Sequence, residues 1–135
     1  MNMEFKRRLP IPKDIKEMFP INEKYKAMRE KKVAEIEDIL AGRKDKFILL
    51  IGPCSADNED AVLDYATRLA RVQEKVADRL LLIPRVYTNK PRTNGLGYKG
   101  MLHQPDPEKQ PSVSEGLHAI RHLHMKVLAE TGFST

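Results

Sequence analysis

The sequence predicts an α/β protein with a parallel sheet, and three observations lead to that class. Two apolar runs, Phe47–Ile51 and Leu80–Ile83, have the length and continuity of strands that are buried on both faces. A helical pattern lies between them, so the order strand, helix, strand matches a βαβ unit. The chain has 135 residues, 41% of them hydrophobic and 32% charged, which is enough apolar material for one core.

The N-terminal part divides into an arm and a helix. Residues 1–21 contain three prolines, Pro10, Pro12 and Pro20, which preclude a long helix, and we interpret this segment as an N-terminal arm. Apolar residues then recur at helical spacing from the N-cap Asn22 to Leu40, and a glycine follows as a stop signal.

One helix is predicted after each of the two strands. The helix between the strands is predicted to begin at an Asp57 cap and to end near Ala77. The last helix is predicted to begin at Ser112, which forms an S-x-x-E capping box with Glu115, and to end at Gly132. Between the second strand and this helix, residues 88–111 are rich in glycine and proline and predict a long loop, a type of segment that is usually functional.

Two parallel strands are too few for a stable open sheet, because the edges stay unpaired. A full (β/α)8 barrel needs roughly 250 residues. We therefore expect residues 22–135 to form a helix and the first β/α units of a barrel, truncated after the second or third unit.

Positive charge is concentrated in one segment of an otherwise mixed chain. Lys and Arg number 24 against 19 Asp and Glu, yet no acidic residue occurs in the 27 positions between Asp78 and Asp106. Guanidinium and ammonium groups at the carboxyl end of a strand suit phosphate and carboxylate ligands. The pattern predicts an anion site, with a solvated basic loop as the alternative. The cations of this segment are Arg79, Arg85, Lys90, Arg92 and Lys99.

The single cysteine, Cys54, directly follows the first strand. It allows no internal disulfide, and this usage is typical of a cytoplasmic protein. A thiolate metal ligand or nucleophile is one interpretation, and an inert buried side chain is the other. His118 and His122 are four residues apart on the last helix and are expected to face solvent. No apolar run is long enough to span a membrane.

Several motifs in order resemble the N-terminal portion of the type I 3-deoxy-D-arabino-heptulosonate-7-phosphate (DAHP) synthases. The resemblance runs from about residue 10 to residue 135. Its motifs are Gly52-Pro53-Cys54-Ser55, Arg85-Val86-Tyr87, Lys90-Pro91-Arg92-Thr93 and Gly97-Tyr98-Lys99-Gly100.

The resemblance implies a metal-dependent TIM barrel that condenses phosphoenolpyruvate with D-erythrose 4-phosphate in the shikimate pathway to aromatic amino acids. It implies that Cys54 is one ligand of a divalent metal ion of the Mn, Fe, Co or Zn type. The family's other ligands, a His, a Glu and an Asp, match no residue here. The whole enzyme is expected to be a cytoplasmic homo-oligomer, and this chain alone is expected to be inactive.

The resemblance also assigns the substrate residues. Arg85 and Lys90 would act as the catalytic residues and would hold phosphoenolpyruvate. Lys90, Pro91, Arg92 and Thr93 would contact erythrose 4-phosphate, and Lys99 would complete the substrate-binding set.

Two other functions stay open from the sequence. A small non-catalytic domain could bind a phosphorylated metabolite through the same basic loop. A nucleic-acid binder is disfavoured, because only Tyr87 and Tyr98 accompany the charge and no helix is lined with Lys or Arg on one face. The expected partners are therefore small phosphorylated molecules, with neither nucleic acid nor membrane among them.

Overall fold

A computed structural model describes residues 8–90 and 92–135, so Pro91 lies outside the described residues. It confirms the α/β class. In the part of the chain so described, no helix combines the length and the apolar character that crossing a bilayer would require. The elements in chain order are α1 (Pro12–Met18), α2 (Glu23–Leu40), β1 (Phe47–Ile51), α3 (Glu59–Val76), β2 (Leu80–Pro84) and α4 (Val113–Thr131).

The two strands pair in parallel, as the βαβ pattern predicts. Their register runs from Phe47 opposite Leu80 to Ile51 opposite Pro84, so both strands end at the same edge of the sheet. The helix that connects them, α3, packs against β2. The loops that follow β1 and β2 therefore begin side by side.

The core lies between β2, α3 and α4, and this leaves β1 exposed. Strand β2 is buried, with Leu81 and Leu82 only 2% and 3% accessible. The prediction that β1 is also buried on both faces is wrong for this structure, in which Phe47 is 76% and Leu50 66% accessible. The reason is that the core cluster contains side chains of β2, α3 and α4 but none of β1, whose main helix contact is with α2.

One side chain of α3 closes the outer edge of β2. Alternate residues of β2 bond to β1, and the residues between them point their backbone groups away from it. On that outer side, the Gln73 side-chain amide donates to the Leu80 carbonyl at 3.0 Å and accepts from the Leu82 N–H at 2.7 Å. Gln73 thus occupies the place of a neighbouring strand.

The helix N-termini differ from the sequence predictions in two details, the cap of α3 and the capping box of α4. Asn22 accepts a hydrogen bond from the Tyr25 N–H at 2.9 Å, as expected of an N-cap. The cap of α3 is Asn58 instead of Asp57, because Asn58 Oδ1 accepts from the Ala61 N–H. Ser112 caps α4, but its own N–H donates to the His103 carbonyl at 2.9 Å, so the long loop takes the place of the second half of the capping box.

The proline-rich arm contains a short helix, α1, whose end is tied to α4. The Arg121 guanidinium donates to the Phe19 carbonyl at 3.0 Å across 102 residues of sequence. The Phe19 ring lies about 6 Å from the rings of both His118 and His122. His122 is exposed as predicted, whereas the prediction for His118 is wrong, because its side chain is partly buried and its Nε2 atom is inaccessible.

Candidate functional site

The carboxyl ends of the two strands meet so closely that one of the two must carry a glycine. The Arg85 N–H donates to the Ile51 carbonyl at 2.9 Å, which extends the sheet hydrogen bonding one residue past β2. A Cβ atom on Gly52 would lie 2.1 Å from the Arg85 carbonyl oxygen. Only glycine allows this approach, which brings the Gly52-Pro53-Cys54-Ser55 motif against Arg85.

Two hydrogen bonds then join the loops that follow the strands. The Arg85 guanidinium donates to the Pro53 carbonyl at 2.9 Å, and the Ala56 N–H donates to the Tyr87 carbonyl at 3.0 Å. The Arg85 guanidinium carbon also lies 4.9 Å from the centre of the Tyr87 ring. These contacts orient an exposed arginine over the strand ends, where the sequence placed an anion site.

The long loop folds back on itself and brings Lys90 next to Lys99. The Lys90 N–H donates to the Lys99 carbonyl at 2.8 Å, and the Leu102 N–H donates to the Thr88 carbonyl at 3.0 Å. Gly100, with φ of +99°, allows the second contact, because a Cβ there would lie 2.4 Å from the Thr88 oxygen. The loop is therefore a hydrogen-bonded hairpin that presents two lysines from neighbouring positions.

The tip of this loop presents Arg92 to solvent. Its Nε atom donates to the Tyr98 carbonyl at 3.0 Å, and its guanidinium lies across Gly97. Thr93 and Lys99 are exposed on the same loop. The structure thus brings Arg85, Lys90, Arg92, Thr93 and Lys99 onto one folded loop at the ends of the strands, while the placement of Pro91 stays a prediction.

The cations of this loop carry uncompensated charge. Arg85, Lys90, Arg92 and Lys99 form no ion pair with any carboxylate of residues 8–90 and 92–135. Arg79, which precedes β2, instead lies 3.7 Å from Asp45 and 3.9 Å from Asp78. The free positive charge is therefore at the carboxyl end of β2, where an anionic ligand can compensate it.

Tyr98 and Gln104 hold the loop in place through roles that the sequence did not predict. The Tyr98 hydroxyl donates to the Gln104 carbonyl at 3.1 Å, and burial, together with the charge of Asp57, raises the pKa of Tyr98 above its usual value. The Gln104 side chain in turn donates to the Pro107 and Lys109 carbonyls. Tyr98 belongs to the Gly97-Tyr98-Lys99-Gly100 motif, whereas no pattern in the sequence pointed to Gln104.

A second missed residue, Gly116 on α4, sets how closely the helix approaches the loop. A Cβ atom at this position would lie 1.9 Å from the Leu102 carbonyl oxygen. Gly116 is buried, and Met101 beside the contact is 4% accessible and belongs to the core. A glycine inside a helical pattern is the signal that could have identified it, because such a glycine often marks a close backbone approach.

Cys54 lies exposed at the end of β1, so the interpretation as a buried apolar side chain is wrong. An exposed thiol can supply one soft ligand to a metal ion of the Mn, Fe, Co or Zn type. No three His, Cys, Asp or Glu side chains come together among the described residues, however. The donor set therefore fits one position of a metal site and does not by itself hold a metal ion.

Comparisons with known proteins point to one family. Residues 18–133 match the sequence profile of the DAHP synthetase I family. The chain is 38% identical over 110 residues to the phenylalanine-inhibited phospho-2-dehydro-3-deoxyheptonate aldolase of Saccharomyces cerevisiae, covering 82% of this chain and 30% of the relative. It is 33% identical over 120 residues to the Tyr-sensitive aldolase of that name from Escherichia coli, covering 89% of this chain and 33% of the relative.

A solved structure shows the same relationship. The phospho-2-dehydro-3-deoxyheptonate aldolase of Francisella tularensis superposes on 98% of this chain with a TM-score of 0.86 and 29% identity. The match covers 38% of that chain, so the present chain spans about a third of the length of these proteins. With the motifs, the fold and the relatives in agreement, the chain belongs to the DAHP synthetase I family.

Proposed function

We propose that this chain supplies part of the active site of an enzyme that condenses phosphoenolpyruvate with D-erythrose 4-phosphate and water to give DAHP and phosphate. The relatives from yeast, E. coli and F. tularensis are named as aldolases of the product, phospho-2-dehydro-3-deoxyheptonate. The observation that carries the proposal is the loop at the joined ends of β1 and β2, whose four cations form no ion pair within residues 8–90 and 92–135. Both substrates carry phosphate, so bringing them together requires dense positive charge.

The roles follow from the position of each side chain. Arg85, oriented by the Pro53 carbonyl, would bind the anionic groups of phosphoenolpyruvate. Lys90, at the start of the hairpin, would contact both substrates, and Lys99 beside it would add charge. Arg92 and Thr93 at the exposed loop tip, with Pro91 between the two cations in sequence, would bind the phosphate end of erythrose 4-phosphate.

The reaction joins the enol carbon of phosphoenolpyruvate to the aldehyde carbon of erythrose 4-phosphate. Water adds to the carbon that carries the phosphate ester, and phosphate leaves. Cys54 would supply one ligand of a divalent metal ion, which when bound polarises the aldehyde as a Lewis acid. The long loop of this chain would hold both substrates so that their reacting carbons face each other.

We further propose that β1 and β2 are the first strands of a (β/α)8 barrel. The exposed apolar side chains of β1 support this, because neighbouring strands and helices would cover them. We also propose that the enzyme works in the cytoplasm, where a free thiol such as Cys54 stays reduced, and that it is a homo-oligomer, as the family resemblance implies.

The substrate assignment can be tested by binding to the 135-residue chain. Equilibrium dialysis with phosphoenolpyruvate and with erythrose 4-phosphate would compare the parent with Arg92→Ala and with Arg79→Ala as a matched loss of charge. A charge-assisted contact contributes about 1.5 to 3 kcal/mol, so Arg92→Ala should weaken erythrose 4-phosphate binding roughly tenfold to a hundredfold. Arg79→Ala should change it little; equal effects would mean that general charge, and not a site, binds the substrate.

Catalysis can be tested in a chimaera. Residues 18–133 would replace the matching segment of the E. coli Tyr-sensitive relative, and phosphate release that depends on both substrates would be measured. Cys54→Ala in this chimaera should lower its metal content and abolish turnover. Substrate binding by the chain combined with an inactive, folded chimaera would favour a small domain that only binds a phosphorylated metabolite.

A further inference from the structure

A second group of cations lies in a cleft between α1, α2 and α4, which we call the three-helix cleft. Lys16, Arg29 and Arg121 line it together with Ile21, around a cavity of about 420 Å³. None of the three forms an ion pair with a carboxylate of the described residues. None belongs to the basic loop, so this charge is separate from the proposed substrate site.

An apolar chamber continues from the three-helix cleft. It has a volume of about 340 Å³ and shares Ile21, Arg29 and Arg121 with the cleft. Its other lining is mainly apolar, and the described lining of both spaces includes no carboxylate side chain. The cationic cleft and the mainly apolar chamber thus adjoin at these three shared residues. The chamber's apolar side chains are Leu117, Ile120, Met125, Leu128 and Phe133.

Two polar atoms in the chamber wall have no hydrogen-bond partner in the part of the chain that the structure describes. Arg121 donates through one Nη atom to the Phe19 carbonyl, but its Nε atom is buried without an acceptor. Ser134 Oγ, in the same wall, is buried and unpartnered as well. A buried polar group without a partner is costly, and protein atoms cover both of these, so the hydrogen bonding of this wall is incomplete. The pKa of His124 in this wall is lowered, first by burial and then by the charge of Arg121.

We propose that the three-helix cleft binds an amphipathic monoanion, whose oxyanion head contacts Arg29, Arg121 and Lys16 and whose apolar body fills the chamber. The head would pair with the guanidinium and ammonium groups that line the cleft and would compensate their charge. An ammonium group on the ligand would be repelled by the three cations of the cleft. The cleft therefore favours carboxylates without an amino group, and this inference does not rest on the proposed function.

A matched pair of probes tests this selectivity. 3-Phenylpropionate and L-phenylalanine differ only in the ammonium group, and inorganic phosphate tests the head without an apolar body. Equilibrium dialysis against the 135-residue chain should show saturable binding of one 3-phenylpropionate per chain, with both other probes at least tenfold weaker. Equal binding of L-phenylalanine would overturn the selectivity, equal binding of phosphate would overturn the role of the chamber, and no saturation by about 10 mM would overturn the site.

Variants and chemical protection locate the binding. Arg29→Ala, at an exposed position, should weaken 3-phenylpropionate binding about tenfold, whereas Arg71→Ala, an exposed loss of the same charge on α3, should leave it within twofold. Arginine modification by phenylglyoxal, followed by mass spectrometry, should show that 3-phenylpropionate protects Arg29 and Arg121 but not Arg71. Equal protection of all three arginines, or equal effects of the two variants, would overturn the assignment to this cleft.

Discussion

Replacing Gly116 by alanine tests the contact that fixes the long loop against α4. The new Cβ would lie 1.9 Å from the Leu102 carbonyl oxygen and 2.5 Å from its carbonyl carbon. An ordinary carbon–oxygen contact is about 3.3 Å, so the helix and the loop must separate by roughly 1.4 Å. Because both sides of the contact are backbone, no side-chain rotation can relieve the overlap.

The two energetic effects of this substitution have opposite signs. Alanine favours a helix interior over glycine by about 1 kcal/mol, whereas overpacking a buried contact costs about 3 kcal/mol at the upper end of its usual range. We therefore expect Gly116→Ala to destabilise the chain by about 2 kcal/mol. For a domain of this size that corresponds to a fall in Tm of about 6 to 8 °C.

Circular dichroism at 222 nm during heating would measure this change, with Ala129→Gly as the control. Ala129 is exposed on the same helix, so the reverse substitution should lower stability by about 1 kcal/mol through helix propensity alone. A Gly116→Ala variant that is as stable as the parent, or more stable, would refute the close contact between α4 and Leu102. A loop freed by this substitution should also bind phosphoenolpyruvate more weakly, since the Leu102 N–H holds Thr88 near Lys90.

Two further predictions concern the surface. Leu50→Lys, in the exposed apolar face of β1, should reduce self-association measured by sedimentation velocity. Leu96→Lys, at a similarly exposed position on the loop, should not reduce it. The same reduction in both variants would show that added charge alone is responsible. The Lys126 ammonium donates a hydrogen bond to the Glu59 carboxylate and lowers its pKa. The ionised carboxylate therefore stabilises the fold above the ordinary pKa of 4.5, and this stabilisation is lost as the pH falls through the lowered pKa. Glu59→Gln should therefore lower Tm at pH 7 but not at pH 3, and a difference independent of pH would contradict this assignment.

Much of the architecture was predictable because local signals and the fold agree. Asn22 caps α2, Gly132 ends α4, and the strands begin and end within a residue of their apolar runs. The exposure of β1 was not predictable, since an apolar run indicates that a strand is suited to burial and not what covers it. The cap of α3 moved from Asp57 to Asn58 because both residue types cap equally well.

The cations of the site were predictable from the sequence, whereas the residues that hold the loop in place were not. Arg85, Lys90 and Arg92 stand out as cations in a segment without acids, and each lies on the predicted loop. Gln104 bonds to backbone carbonyls whose positions depend on the folded loop, and Gly116 matters only because Leu102 comes against it. Contacts of this kind depend on tertiary structure, which residue spacing does not encode.

The Gln73 side chain has a consequence for the order in which a larger sheet could assemble. Its amide already satisfies the outward-facing groups of Leu80 and Leu82, and Pro84, the next outward-facing residue, has no N–H to offer. A strand that adds to this edge must first displace the amide and exchange two hydrogen bonds for two, so the exchange itself gains little free energy. Pairing at this edge would then be driven by the side chains that the incoming strand buries. A strand without a matching apolar face would not pair there.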